Sequence, residues 1–105
     1  MSQTNLDPKT AYQTLDRYQV VDVREPEEWC EGVLPGALRL PLSKLSGLAA
    51  QYLERDRPVL LYCRSGNRSQ EARETLLRLG HPKVWHLEGG LKAWCEAGIP
   101  CDSPV

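Results

Sequence analysis

The chain reads as an α/β domain with a mainly parallel sheet and helices on both faces. Three observations predict it. Short apolar runs recur at 19–23, 37–40, 58–62 and 84–87. Between them lie segments with apolar residues at helical spacing, so helices and strands alternate along the whole chain. Turn residues mark the joins, at Pro35-Gly36, at Gly80 with Pro82 two residues on, and at Gly89-Gly90. The length, 105 residues, suits a single domain over 1–105, with an ordered core over about 5–100 and short polar tails.

Each element has its own justification. Asp7 stands as an N-cap with Pro8 at the first helical position, and Ala11, Leu15 and Tyr18 line one face of the helix that follows. The run 19–23 is a β-branched strand, Val20-Val21-Asp22-Val23. A carboxylate in such a run needs partners, and Arg24 is close enough to supply charge. Asp22 and Arg24 therefore read as holding loops together. Glu25-Pro26-Glu27-Glu28-Trp29 opens a short helix, with proline in the first turn and acids at its positive end. Trp29 and Cys30 read as packing residues. After a turn at Leu34-Pro35-Gly36-Ala37 comes the short strand 37–40. Ser43 is expected to cap a helix whose Leu45, Leu48, Ala49, Tyr52 and Leu53 form a core-facing stripe. A helix ending at about 79 with Gly80 as its C-cap, the strand 84–87, and a last helix with Leu91, Trp94 and Cys95 complete the order.

The stretch that organises the chain is Val59-Leu60-Leu61-Tyr62-Cys63-Arg64-Ser65-Gly66-Asn67-Arg68-Ser69. It starts as a buried strand and ends in a helical pattern, with Ala72, Leu76 and Leu79 on one face. Asn67, with Gln70 three residues on, resembles a cap at the helix start. A strand, a tight loop and a helix N-terminus converge backbone N–H groups on one point, which makes an anion site. Cys63 begins that loop. Its thiolate is favoured there, and Arg64 and Arg68 act in the same direction. In a parallel sheet the ligand site lies beyond the strands' carboxyl ends. The Cys63 loop, the 22–25 segment, the Leu40-Pro41 corner and the 87–90 turn should thus share one rim, with glycines at 89 and 90 allowing close approach.

Composition narrows the function classes. The net charge is −1, which gives no general reason to bind nucleic acid or an anionic membrane. Charged residues make up 26% and hydrophobic ones 41%, an ordinary globular mixture. The N-terminal segment is polar without an apolar signal-peptide core, and no apolar run approaches a membrane span, so a cytoplasmic location is the default expectation. Cys30, Cys63, Cys95 and Cys101 form no CxxC pair and no zinc-like spacing, so no metal is expected. His81 and His86 are remote from Cys63 in sequence and read as surface or strand residues.

Four segments together resemble the single-domain rhodaneses, a sulfurtransferase family. They are Val21-Asp22-Val23-Arg24-Glu25-Pro26-Glu27-Glu28-Trp29, Gly32-Val33-Leu34-Pro35-Gly36-Ala37, Tyr62-Cys63-Arg64-Ser65-Gly66-Asn67-Arg68-Ser69 and Leu87-Glu88-Gly89-Gly90-Leu91-Lys92-Ala93-Trp94. One departure is visible: the family's usual Gly-His-Ile-Pro-Gly-Ala reads Gly32-Val33-Leu34-Pro35-Gly36-Ala37 here. The resemblance implies a doubly wound fold with a five-stranded sheet. It also implies that Cys63 carries sulfane sulfur as a persulfide, taken from thiosulfate or a persulfide donor and passed to cyanide or a thiol. Thioredoxin, or another sulfur-carrier protein, is a possible acceptor. The covalent intermediate splits transfer into two half-reactions, which gives ping-pong kinetics. Backbone N–H groups over 64–68 hold the terminal sulfur, with Arg64, Ser65, Gly66, Asn67 and Arg68 as the donor-binding loop. No cofactor is required.

Two other classes compete. A phosphatase or arsenate reductase on the same fold resembles C-x5-R, whereas Cys63 to Arg68 is C-x4-R, a ring one residue tighter that suits a single sulfur better than a tetrahedral oxyanion. A non-catalytic binding module of the same fold usually lacks the cysteine, which is present here. Cys30, Cys95 and Cys101 can be read as relaying sulfur or resolving the persulfide as a disulfide. Packing or tail placement is the plainer reading, with Cys101 the most exposed by its tail position.

Overall fold

The structure, a computed structural model, describes residues 5–102. Five strands form one sheet: β1 (Asn5–Leu6), β2 (Gln19–Asp22), β3 (Leu38–Arg39), β4 (Val59–Tyr62) and β5 (Val84–Leu87). Their spatial order is β1-β5-β4-β2-β3, and every neighbouring pair runs parallel. The expected tails at 1–4 and 103–105 lie outside the described residues.

Side chains alternate across the central strands, as the pleat demands. Val59, Leu61 and Cys63 face one layer, where α2 (Leu45–Tyr52) and α3 (Asn67–Arg78) contribute Leu45, Ala49, Ala72 and Leu76. Leu60 and Tyr62 face the other, with Ala11 of α1 (Pro8–Gln13) and Leu91 and Trp94 of α4 (Gly90–Glu96). The doubly wound arrangement follows from this even division of apolar residues between two faces.

Several elements depart from the sequence expectation, each for a local reason. β1 escapes it: two residues, only one of them apolar, carry no periodicity, yet they pair with His86 and Leu87 at the sheet edge. The first helix stops at Gln13 and tightens into a 3-10 turn over Leu15–Arg17, so its apolar stripe is shared between two elements. Ser43 does not cap α2. Proline at 41 starts a 3-10 turn over Leu42–Lys44, and the Ser43 hydroxyl is drawn instead to the Glu25 carboxylate at 3.3 Å. Tyr52 does not join the core stripe; it closes a short helix and stays 54% exposed. Cys30 is exposed rather than packed. Asn67 is not the cap of α3. Gly66 takes that place with φ +108°, a left-handed conformation that glycine alone adopts cheaply, and Asn67 becomes the first helical residue. At the other end, α3 closes with paired bonds from Gly80 N–H to Leu77 C=O (3.1 Å) and from His81 N–H to Leu76 C=O (3.0 Å).

The carboxyl end is tied down rather than frayed at its start. Val33 and Asp102 form an isolated antiparallel bridge, and the Trp94 indole N–H donates to Pro100 C=O at 3.1 Å. Val33, in the 32–37 corner, spends its backbone on that bridge. Among the described residues no helix is long and apolar enough to cross a membrane.

Candidate active site

Cys63 follows directly on β4, and its side chain is 1% exposed. The strand delivers it to the carboxyl rim, and the left-handed turn at Gly66 then folds the loop back over it. The Gly66 N–H donates to Cys63 Sγ at 3.0 Å. The thiol in turn contacts Ser69 Oγ at 3.6 Å. Ser69 sits in the first turn of α3, fully buried, and its hydroxyl lies 3.1 Å from Gly66 C=O and 3.2 Å from His86 Nδ1. A continuous polar line thus runs from Cys63 through Ser69 to His86, a buried residue of β5.

The loop is held from its carbonyl side by α4. Leu91 N–H donates to Cys63 C=O at 2.8 Å, and Lys92 N–H donates to Arg64 C=O at 3.0 Å. This docking demands Gly90. A Cβ there would lie 2.5 Å from Cys63 O and 2.6 Å from Arg64 C and O, and the residue adopts φ +63°. The expected close approach of the glycine turn to the loop is therefore present at Gly90. Gly89 approaches the loop as well, its N and Cα 3.5 and 3.9 Å from where a Cβ on Gly66 would stand, and a Cβ on Gly89 itself would lie 2.5 Å from Ala93 Cβ.

The remaining expected residues divide into two groups. Arg64 and Ser65 are exposed and line a cleft of about 450 Å³ together with Glu31, Leu91, Lys92 and Cys95. Asn67 is exposed at the helix start. Arg68 is half-buried and is not a lone cation facing solvent: its two terminal nitrogens hold the Glu28 carboxylate at 2.6 and 2.7 Å. The hydrogen bond from Arg68 holds the Glu28 carboxyl down at about 2, against some opposition from burial. The same pairing raises the Arg68 guanidinium above its ordinary value.

Asp22 and Arg24 are both fully buried and form one node. Arg24 donates to Asp22 through its backbone N–H (2.9 Å), Nε (3.0 Å) and Nη2 (2.7 Å). Its other donors reach Glu28 C=O at 3.0 Å and Gly32 C=O at 2.6 Å. Tyr62 O–H donates to Asp22 Oδ2 at 2.9 Å and accepts from Leu34 N–H at 3.1 Å. Burial works against the Arg24 charge, but the Asp22 carboxylate outweighs it and raises the guanidinium. Burial, aided by the Asp22 charge, likewise pushes the Tyr62 phenol up. The node fastens the 26–32 segment to the rim, and Glu28 extends it to Arg68. Asp22 and Arg24 thus reach the loop at second hand.

Sequence reasoning misses Glu28, Tyr62, Ser69 and His86. No local signal marks them: Glu28 and Arg68, like Asp22 and Tyr62, are 40 residues apart, and Ser69 and His86 are 17 apart. Burial, then the positive charge of Arg73, lowers the His86 pKa, while Glu88 opposes. Among the described residues no three His, Cys, Asp or Glu side chains converge as a metal site.

The Rhodanese-like domain family matches residues 7–97. A protein named sulfurtransferase from Allochromatium vinosum is 40% identical over 85 residues, covering 81% of this chain and 78% of that protein. An uncharacterized protein of Synechocystis sp. is 42% identical over 103 residues; the match covers 94% of this chain but only 57% of that longer protein. The crystal structure of a rhodanese-related protein from Thermoplasma volcanium superposes with a TM-score of 0.83 at 35% identity, covering 91% of this chain and 94% of that one. The cysteine-headed loop, the parallel five-stranded sheet and these likenesses agree: the chain belongs to the Rhodanese-like domain family.

Proposed function

We propose that this protein is a sulfurtransferase that carries sulfane sulfur as a persulfide on Cys63. The observation that carries the reading is the Gly66 N–H aimed at Cys63 Sγ at 3.0 Å, in a loop whose carbonyls are already engaged by α4. An amide donor interacts more strongly with a charged sulfur than with a neutral thiol. It also needs no reorganisation when the charge passes to a second sulfur.

In the first half-reaction the Cys63 sulfur attacks the outer sulfur of thiosulfate, the outer S–S bond breaks, and sulfite leaves with the bonding pair. A small persulfide donor reacts the same way with a thiolate as leaving group. In the second, cyanide or a thiol takes the outer sulfur and Cys63 returns to its starting state. Arg64 is the exposed loop cation placed to meet an anionic donor, and Arg68, clasped by Glu28, serves first to hold the loop. Asn67 and Ser65 frame the approach, and Asp22 with Arg24 keeps the adjoining segment in place. The acceptor is a thiol, cyanide, or a carrier protein such as thioredoxin, and the setting is the cytoplasm. A phosphatase reading is disfavoured because six residues from Cys63 to Arg68 make a ring too tight for a tetrahedral oxyanion. Side-by-side assays of thiosulfate with cyanide and of a phosphate ester test the proposal. Thiocyanate formation that vanishes in Cys63→Ser supports it, and faster ester turnover overturns it.

A further inference from the structure

We propose that Cys95 and Cys101 form a second thiol site, a dithiol that strips sulfane sulfur from small persulfides, releases hydrogen sulfide and closes to a disulfide. Their sulfur atoms lie 3.4 Å apart, and neither belongs to the Cys63 loop. The reading is independent of turnover at Cys63.

The pair is not an accident of a loose tail. Cys95 follows Trp94 on α4, and Trp94 is fully buried. Cys101 is bracketed on one side by the Trp94 indole bond to Pro100 C=O, and on the other by reciprocal bonds between Val33 and Asp102 at 3.0 and 2.7 Å. Its Cβ also packs 3.3 Å from the position a side chain at Gly32 would take. Both backbones are therefore anchored with the thiols in contact at 3.4 Å, and closing the disulfide has only to shorten that contact to the bond length of about 2 Å.

The surroundings suit an anionic sulfur compound. Cys95 is exposed and lines the 450 Å³ cleft, where Arg64 and Lys92 present two cations against the single carboxylate of Glu31. Cys101 is half-buried behind it, which reverses the exposure order expected from its place near the chain end. Burial, reinforced by Cys95 alongside, pushes the Cys101 thiol up to about 11. Cys101 therefore keeps its proton at neutral pH while Cys95 meets the donor.

The chemistry balances in two steps. The Cys95 thiolate attacks the outer sulfur of a persulfide R–S–SH, that S–S bond breaks, and R–S⁻ leaves, so Cys95 carries –S–SH. Cys101 then attacks the inner sulfur of that group. The new bond is Cys95–S–S–Cys101, and hydrosulfide leaves and takes the Cys101 proton as hydrogen sulfide. Each cysteine sulfur is oxidised by one electron, and the sulfane sulfur is reduced by two. A small thiol reopens the disulfide.

The test uses the reduced full chain with one equivalent of glutathione persulfide, quenched with iodoacetamide. Released sulfide and peptide masses are then read. The expected result in the wild-type chain, where Cys63 competes for the donor, is released sulfide and a linked Cys95–Cys101 peptide, both lost in Cys95→Ser and in Cys101→Ser; with Cys63 removed the yield should rise to about one sulfide per chain. Cys63→Ser should keep both while losing thiosulfate-to-cyanide transfer, which separates this site from the one above. Alkylation of Cys95 and Cys101 as free thiols, or sulfide release undiminished in the two serine variants, would overturn the proposal. So would loss of the linked peptide in Cys63→Ser, since the pair would then act only on sulfur handed over by the loop.

Discussion

The guanidinium of Arg68 and the carboxylate of Glu28, 40 residues apart in sequence, meet in a two-pronged ion pair of 2.6 and 2.7 Å. It joins the first turn of α3, and so the Cys63 loop, to the 26–31 segment.

This pair makes stability depend on acid in a defined window. Folded Glu28 titrates at about 2 against an ordinary 4.5, because Arg68 holds its charged form. A depressed carboxyl stabilises the fold above its ordinary value and loses that contribution as pH falls through the folded one. Glu28→Gln should lower unfolding free energy at pH 7 by about 1–2 kcal/mol, after discounting for a partly exposed pair. The gap between wild type and variant should shrink between pH 5 and pH 2, read by urea denaturation; a gap independent of pH would contradict the assignment.

The Asp22–Arg24 node gives a larger effect. Removing one partner leaves a buried charge without compensation, at a cost of about 3–5 kcal/mol. Arg24→Met should therefore reduce stability far more than Glu28→Gln. The double change Asp22→Asn with Arg24→Met should recover part of the loss, because no bare charge remains. Thermal unfolding of the three proteins compares them, and equal loss in the single and double variants would count against a paired charge.

Much of this architecture is legible in the amino-acid sequence. β5 matches its expected span at both ends, because Val84-Trp85-His86-Leu87 is a compact apolar run between a proline and a glycine pair. The loop and its cysteine stand out because a strand and a helix start flank a short cationic turn. Asn67 and Ser43 mislead because both are good capping residues at plausible local spacing. Gly66 takes the cap of α3 through its left-handed backbone, and the 3-10 turn that begins after Pro41 carries the chain past Ser43 to Lys44, the residue before α2. Ser69 and His86 are illegible for another reason: a buried contact between α3 and β5 leaves no periodicity behind.

Gly90 marks where the docking of α4 on the loop leaves no room. An added methyl meets backbone atoms of Cys63 and Arg64 at 2.5–2.6 Å, and φ is +63°. Gly90→Ala should cost about 2–3 kcal/mol and move α4 off the loop. Sulfur transfer should fall with it, whereas Gly36→Ala, at a site with nothing within 4 Å of the added atom, should lose stability through its φ of +72° and leave transfer largely intact.

Ser69 and His86 bear on the thiol directly and through one another. Ser69→Ala removes the hydroxyl beside Cys63 Sγ and should slow transfer about tenfold, the equivalent of one lost hydrogen bond. His86 has a lowered pKa, so its neutral form stabilises the fold above 6.5 and that stability is lost as pH falls below it. His86→Asn should flatten the fall in melting temperature between pH 7 and 5. An unchanged slope would show that the imidazole does not titrate with folding.

The most direct measurement is the mass of Cys63 itself. The reduced protein, treated with thiosulfate or with glutathione persulfide, is digested and the Cys63 peptide weighed. A gain of one sulfur on that peptide, removed by cyanide with release of thiocyanate and absent from Cys63→Ser, is the predicted result. An unmodified Cys63 peptide with both donors would contradict the sulfur-carrier assignment.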